Sequence, residues 1–126
     1  MRLLLDTHSL LWWLSADARL GPLAREGIAA AEVAFVSTAS AWEMSIKGAL
    51  GKLEAPSDLP QQLQRHRFTV LPIHLDHALG VRALPPLHRD PFDRMLVAQA
   101  QAEDLLLVSA DPDVARYDVH VIDAST

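Results

Sequence analysis

The sequence predicts an α/β fold, layered as α/β/α around a central, mostly parallel sheet of about five strands. Three observations lead there. Short apolar runs alternate with stretches of helical periodicity, the pattern of strand–helix–strand units. The strands are apolar almost throughout rather than at every second residue, as strands covered on both faces require. The chain has 126 residues, half of them hydrophobic, with no repeat, low-complexity tract or linker, so residues 1–126 are expected to form a single domain.

The elements follow in order. Arg2 to Leu5 reads as a buried strand that stops at Asp6, and Ser9 to Leu14 begins a helix. Pro22 to Ala31 is a second helix, with proline in its first turn. Val33 to Val36 is the second strand, and Thr38 to Leu50 a helix closed by Gly51. Leu59 to His66 and Leu75 to Leu84 are shorter helices. Between them Thr69 to Ile73 is a strand whose Pro72 suits a strand end or an edge. Phe92 to Ala102 is the most regular helix, preceded by Asp90-Pro91. Leu105 to Val108 is the fourth strand and Val119 to Ile122 a short fifth at an edge.

Composition narrows the setting. Without cysteine there is no disulfide framework and no thiolate metal site. The amino terminus lacks a signal-peptide pattern, and no segment approaches the roughly 18 apolar residues that span a membrane. A cytoplasmic protein without a membrane partner is expected. Sixteen acids against eleven bases give a net charge of −5, which argues against nucleic-acid binding by bulk positive charge. If four acids share one site, however, that figure misrepresents the rest of the surface.

The acids fall in a pattern. Asp6 follows the first strand and Asp111 ends the fourth, so both project from the carboxyl edge of a parallel sheet, where such sheets bind ligands. Glu43 lies on the helix after the second strand. Asp93 lies in the first turn of the helix that feeds the fourth. Each has a local explanation. Asp6 suits a turn or helix start, Glu43 can pair with Lys47 at i, i+4, and Asp90 and Asp93 suit a helix N-terminus. None of these explains why acids recur at the ends of successive units. On the helix wheel Ala39, Trp42, Ile46, Ala49 and Leu50 form an apolar stripe, expected to face the core, with Ser40, Glu43 and Lys47 beside it.

Four stretches, "LLLDTHSLLWWL", "VSTASAWEMSIKGALGKL", "HRDPFDRMLVAQAQAEDLLLVSAD" and "YDVHVID", resemble the PIN domain, and more closely the VapC-type ribonuclease toxins of bacterial toxin–antitoxin pairs. They cover most of the chain in the family's order. The resemblance implies a PIN-like sandwich and puts the family's four acids on Asp6, Glu43, Asp93 and Asp111. Asp90 matches the capping Asp. Thr7, Ser40 and Ser109 match polar positions that border the site. It also implies an RNA substrate, a homodimer and a cognate antitoxin. The "DTHSLLWWL" form looks like the branch paired with Phd-type antitoxins.

Oxygen-only ligands favour a hard cation, Mg²⁺ or Mn²⁺. Mg²⁺ takes few protein carboxylates directly, so Asp6 and Asp93 are expected as direct ligands. Glu43 and Asp111 would act through water or hold a second ion. Four carboxylates and one divalent ion still carry two negative charges, so a second ion arriving with RNA would neutralise the site. Glu43 is the candidate to orient or deprotonate the attacking water. Lys47, Lys52, Arg89 and Arg94 flank the motifs as candidate phosphate contacts, with Arg65 and Arg67 further off. A phosphoacceptor receiver domain is the main rival, although it needs a late lysine and none follows Lys52. A catalytically silent metal-binding module is the other. His74 and His77 share a helix face but have no third zinc ligand in sequence. His88 precedes the "DPFD" turn, within reach of bound RNA. Trp12 points away from the centre of its helix's apolar face, which leaves two readings, cover by another helix or a protein interface. No role is assigned to His8.

Overall fold

A computed structural model describes residues 1–126. Its first strand, β1 (Arg2–Leu5), runs down the middle of a five-stranded sheet. The chain then forms α1 (Thr7–Leu14), α2 (Pro22–Ala30), β2 (Val33–Ser37), α3 (Thr38–Ala49), α4 (Leu59–Arg65), β3 (Thr69–Leu71), α5 (Leu75–Gly80), α6 (Pro91–Glu103), β4 (Leu106–Ser109) and β5 (Val121–Asp123). Single 3₁₀ turns occupy Val81–Ala83 and Val114–Arg116. The strand order is β3-β2-β1-β4-β5 and every pairing is parallel. This also removes the receiver alternative, since receiver sheets run 2-1-3-4-5. No helix is long and apolar enough to cross a membrane.

The central strand shows why its sequence is leucine without interruption. Leu3 and Leu5 enter one core, with Leu10, Leu20, Ile28, Val36, Met44 and Phe68. Leu4 points to the opposite core, with Leu71, Leu96, Val97, Leu107 and Tyr117. All three leucines are fully buried, as the period-two alternation of a strand covered on both faces demands.

Several boundaries differ from the sequence expectation. β3 ends at Leu71, before Pro72. The Leu75–Leu84 helix stops at Gly80 and tightens into the 3₁₀ turn. β5 starts at Val121 because only residues 121–123 pair with β4, so its alignment is set by the neighbour and not by the Val119 side chain. The α3 stripe is reversed relative to expectation. Trp42, Ile46 and Leu50 are exposed, whereas Ala39, Ser40, Glu43 and Met44 are buried. The inward face of the helix sends Ala39 and Met44 into the cores and Ser40 and Glu43 to a polar site at the sheet edge, which leaves Trp42 and Ile46 outside.

Caps fix the helix starts that matter for that site. Ser37 accepts from Ala39 N at the head of α3 (3.0 Å). Asp90 accepts from Phe92 N (2.8 Å) and Asp93 N (3.3 Å) at the head of α6, with Pro91 following as a proline at N1 should. At its other end α6 stops on Asp104, which is exposed and left-handed (φ 55). Glycine adopts that conformation without steric penalty. Asp104→Gly should therefore stabilise the protein by about 0.5–1 kcal/mol, read from the urea unfolding midpoint.

Candidate metal centre

The sheet reverses direction of growth between β1 and β4, and ligands of open parallel sheets bind at such a switch point. Leu5 lies opposite Val108 across that junction. The ladder continues one residue further, because Asp6 N donates to Val108 O (3.0 Å). Asp6 thus leaves the carboxyl edge with its backbone held. Its side chain then caps α1 by accepting from Ser9 N (2.8 Å). The carboxylate that caps the helix also stands close to Asp93. Ser9 reinforces the junction by donating its hydroxyl to Val108 O (3.2 Å).

Glu43 reaches the same place from the buried face of α3. Its Oε1 accepts from Thr7 Oγ1 (2.6 Å) and its Oε2 pairs with Lys47. Thr7 also bonds Ser40 Oγ (3.0 Å). Ser109 ends β4 and accepts from Asp111 N (3.1 Å), while Asp111 Oδ1 accepts from Asp113 N (2.9 Å), so the chain turns there and presents Asp111. Asp93 projects from the first turn of α6. The structure therefore brings together all four predicted acids and the three bordering hydroxyls.

Their charges act on one another. Burial first, and then Asp90, Asp6 and Glu43, push the Asp93 carboxyl up to about 7, with His88 opposing. Burial also raises Asp6, against the Ser109 and Ser9 hydrogen bonds that lower it. Hydrogen bonding to Glu43 raises Lys47. An all-oxygen donor set with two carboxyls pushed upward by burial fits a divalent cation, with Asp6, Asp93, Glu43 and Asp111 as the residues available to hold it.

The basic residues divide. Lys47 lies beside the acids and over the Phe92 ring (5.8 Å). Arg89 is exposed on the approach to α6, and Lys52 is exposed on the turn that closes α3. Arg94 is occupied internally: its guanidinium donates to Pro85 O (2.9 Å), Val81 O (3.2 Å), Leu84 O (3.4 Å) and Tyr117 Oη (3.0 Å). Arg65 and Arg67 precede β3 and so sit at the amino edge, opposite the acids. Trp12 is half-buried against the β1 core and stacks under Arg19 (5.2 Å).

Sequence reasoning missed the centrality of His88. Its Nε2 stands 2.8 Å from Asp111 Oδ2 and 3.0 Å from Asp93 Oδ2. The only sequence signal was its place just ahead of the Asp90-Pro91 cap. His77 gains the neighbours that its spacing did not reveal, Asp76 and Glu103. Its Nδ1 accepts from His74 N (3.0 Å), which leaves the ring proton on Nε2, facing Glu103 at 3.5 Å. That nitrogen is a donor and not a ligand.

An all-parallel α/β domain with a cluster of acids at its switch point is the class that fold and site define. The PIN domain family model matches residues 3–120, and the chain belongs to that family. No curated protein matches the sequence. Solved structures do. VapBC2 from Rickettsia felis, bound to a promoter DNA fragment, superposes with a TM-score of 0.72 at 14% identity, over 97% of this chain and 98% of that one. DNA-bound VapBC from Salmonella typhimurium gives 0.67 at 19%, over 98% of both chains. A toxin–antitoxin complex from Klebsiella pneumoniae gives 0.65 at 21%, over 95% of both. At these identities the likeness is one of fold.

A pH prediction follows from Asp93. Between about pH 4 and 7 the folded protein holds a proton that the unfolded chain has released, so stability falls as pH rises through that window. In EDTA the melting temperature should decline from pH 5 to pH 8. Asp93→Asn should flatten the decline and melt higher than wild type at pH 8. The lowered Asp17 carboxyl, at about 2, does not mask this, because its effect is complete above pH 4. Scanning fluorimetry across pH is the measurement.

Proposed function

We propose that this protein is a Mg²⁺- or Mn²⁺-dependent endoribonuclease toxin, held silent by a cognate antitoxin. The observation that carries the reading is the convergence of Asp6, Glu43, Asp93 and Asp111 at one sheet edge, with Lys47 among them. A bound divalent ion would polarise a phosphodiester and lower the pKa of a water. In this reading Asp6 and Asp93 hold the ion directly. Glu43 is the group that orients the attacking water, and Thr7 and Lys47 fix its two oxygens so that it stays aimed. Lys47 and Arg89 are the favoured phosphate contacts, Lys52 a more remote one. Arg94 stabilises the approach to α6 instead.

The antitoxin enters by analogy with the VapBC and toxin–antitoxin complexes, whose fold this chain shares. A Phd-type partner is favoured by the "DTHSLLWWL" motif. An open groove of about 670 Å³, lined by Leu11, Trp12 and Leu53 and by Asp17, Arg19 and Glu54, suits an amphipathic segment of such a partner. Trp42 and Ile46 on α3 and Leu50 just after it, with Leu75 and Leu79 on α5, are exposed apolar surface suited to a homodimer.

Purified protein should cleave single-stranded RNA with Mg²⁺ or Mn²⁺ and stop in EDTA. Asp6→Asn and Asp93→Asn should each lower kcat/KM by at least about 100-fold. Metal binding by wild type without any cleavage would favour the silent module. Light scattering should find a dimer for wild type, and Trp42→Lys should weaken its association by at least about tenfold.

A further inference from the structure

We propose that His88 is a positioning residue that assembles the acid cluster, its Nε2–H donated to Asp111 while the same nitrogen stands against Asp93. The inference rests on the metal-site reading above. Asp93 stands on α6, whereas Asp111 lies on the turn after β4 with its side chain one-third exposed. Local bonds hold Asp111 to its own turn, through Ser109 and Asp113. The contact that reaches from this turn to α6 at the cluster is His88.

The ring's tautomer is set by its surroundings. Asp90 N donates to His88 Nδ1 (3.2 Å), so the proton of the neutral ring is on Nε2. That proton is donated to Asp111 Oδ2 (2.8 Å), and Asp93 Oδ2 lies 3.0 Å from the same nitrogen. His88 Nε2 is therefore a hydrogen-bond donor to Asp111, with Asp93 in close polar contact with the same nitrogen. Although it clusters with Asp111 and Asp113, it has no lone pair to offer a metal.

The ring is itself held. His88 N donates to Tyr117 Oη (2.9 Å), and Arg94 donates to the same oxygen (3.0 Å). Tyr117 is buried, and Arg94 also binds the carbonyls of Val81 and Pro85. The Pro-rich approach to α6 is thereby fastened to the helix that carries Asp93. A partner that orients ligands while standing outside the coordination sphere commonly sets metal affinity.

Two variants separate the ideas. His88→Phe keeps a ring and removes the donor. His88→Gln puts an amide N–H near the place of Nε2. Mn²⁺ titrated calorimetrically into the full chain should bind His88→Phe about 10–100-fold more weakly than wild type, and His88→Gln within a few-fold. In EDTA, the losses of unfolding midpoint in His88→Phe and Asp111→Asn should be less than additive in the double variant. Wild-type Mn²⁺ affinity in His88→Phe overturns the proposal, and a raised KM for RNA with that affinity unchanged makes His88 a substrate contact instead. If wild type neither binds Mn²⁺ nor cleaves RNA, the functional reading fails. The cycle in EDTA then decides the tie alone: coupling sustains it and additivity ends it.

Discussion

Carboxylates that repel one another, held where water reaches them poorly, are the constraint on which this molecule turns. Asp6 and Glu43 are buried, and Asp93 is mostly so. Left to themselves such groups would move apart or take up protons. They stay because each is fastened by a different piece of the scaffold. Asp6 is held by the β1–β4 ladder and the head of α1, Glu43 by Thr7 and Lys47, and Asp93 by the capped start of α6. The sheet supplies rigidity that no loop could, since its central strands are buried on both faces.

The same constraint explains the unusual orientation of α3. An amphipathic helix ordinarily buries its apolar stripe. Here the inward face must supply Ser40 and Glu43 to a polar site, so Trp42, Ile46 and Leu50 are left outside. Trp42 packs edge-on against Phe92 (5.2 Å), each aromatic standing one residue before an acid of the cluster. The apolar surface that results is a consequence of where the acids must stand. The acids at the sheet edge and the apolar surface at the flank are linked through one helix.

Much of this was legible in the residues. The strand–helix alternation, the apolar strands and the Asp-Pro and Gly-Pro helix starts follow from local preferences that act over a few positions. The recurrence of acids after strands was equally visible, because parallel strands place their carboxyl ends on one edge. The direction of α3 was not legible, because helical periodicity identifies two faces and not which one meets the core. Arg94 illustrates another limit. Its charge suggested phosphate, whereas its partners are backbone carbonyls at Val81, Leu84 and Pro85. A carbonyl acceptor leaves no trace in side-chain identity.

His88 marks the boundary most clearly. By itself the sequence determined the class of fold, the family it resembles and the recurrence of acids at the ends of successive units, because those depend on periodicity and on residue types that recur in fixed order. Only the tertiary structure decided that the sheet is wholly parallel in the order 3-2-1-4-5, that α3 faces inward with its polar side, and that an imidazole stands between Asp93 and Asp111. The reason is physical. Which chemistry a side chain performs depends on what faces it, and the groups that face His88 come from segments joined only by the packing of the sheet.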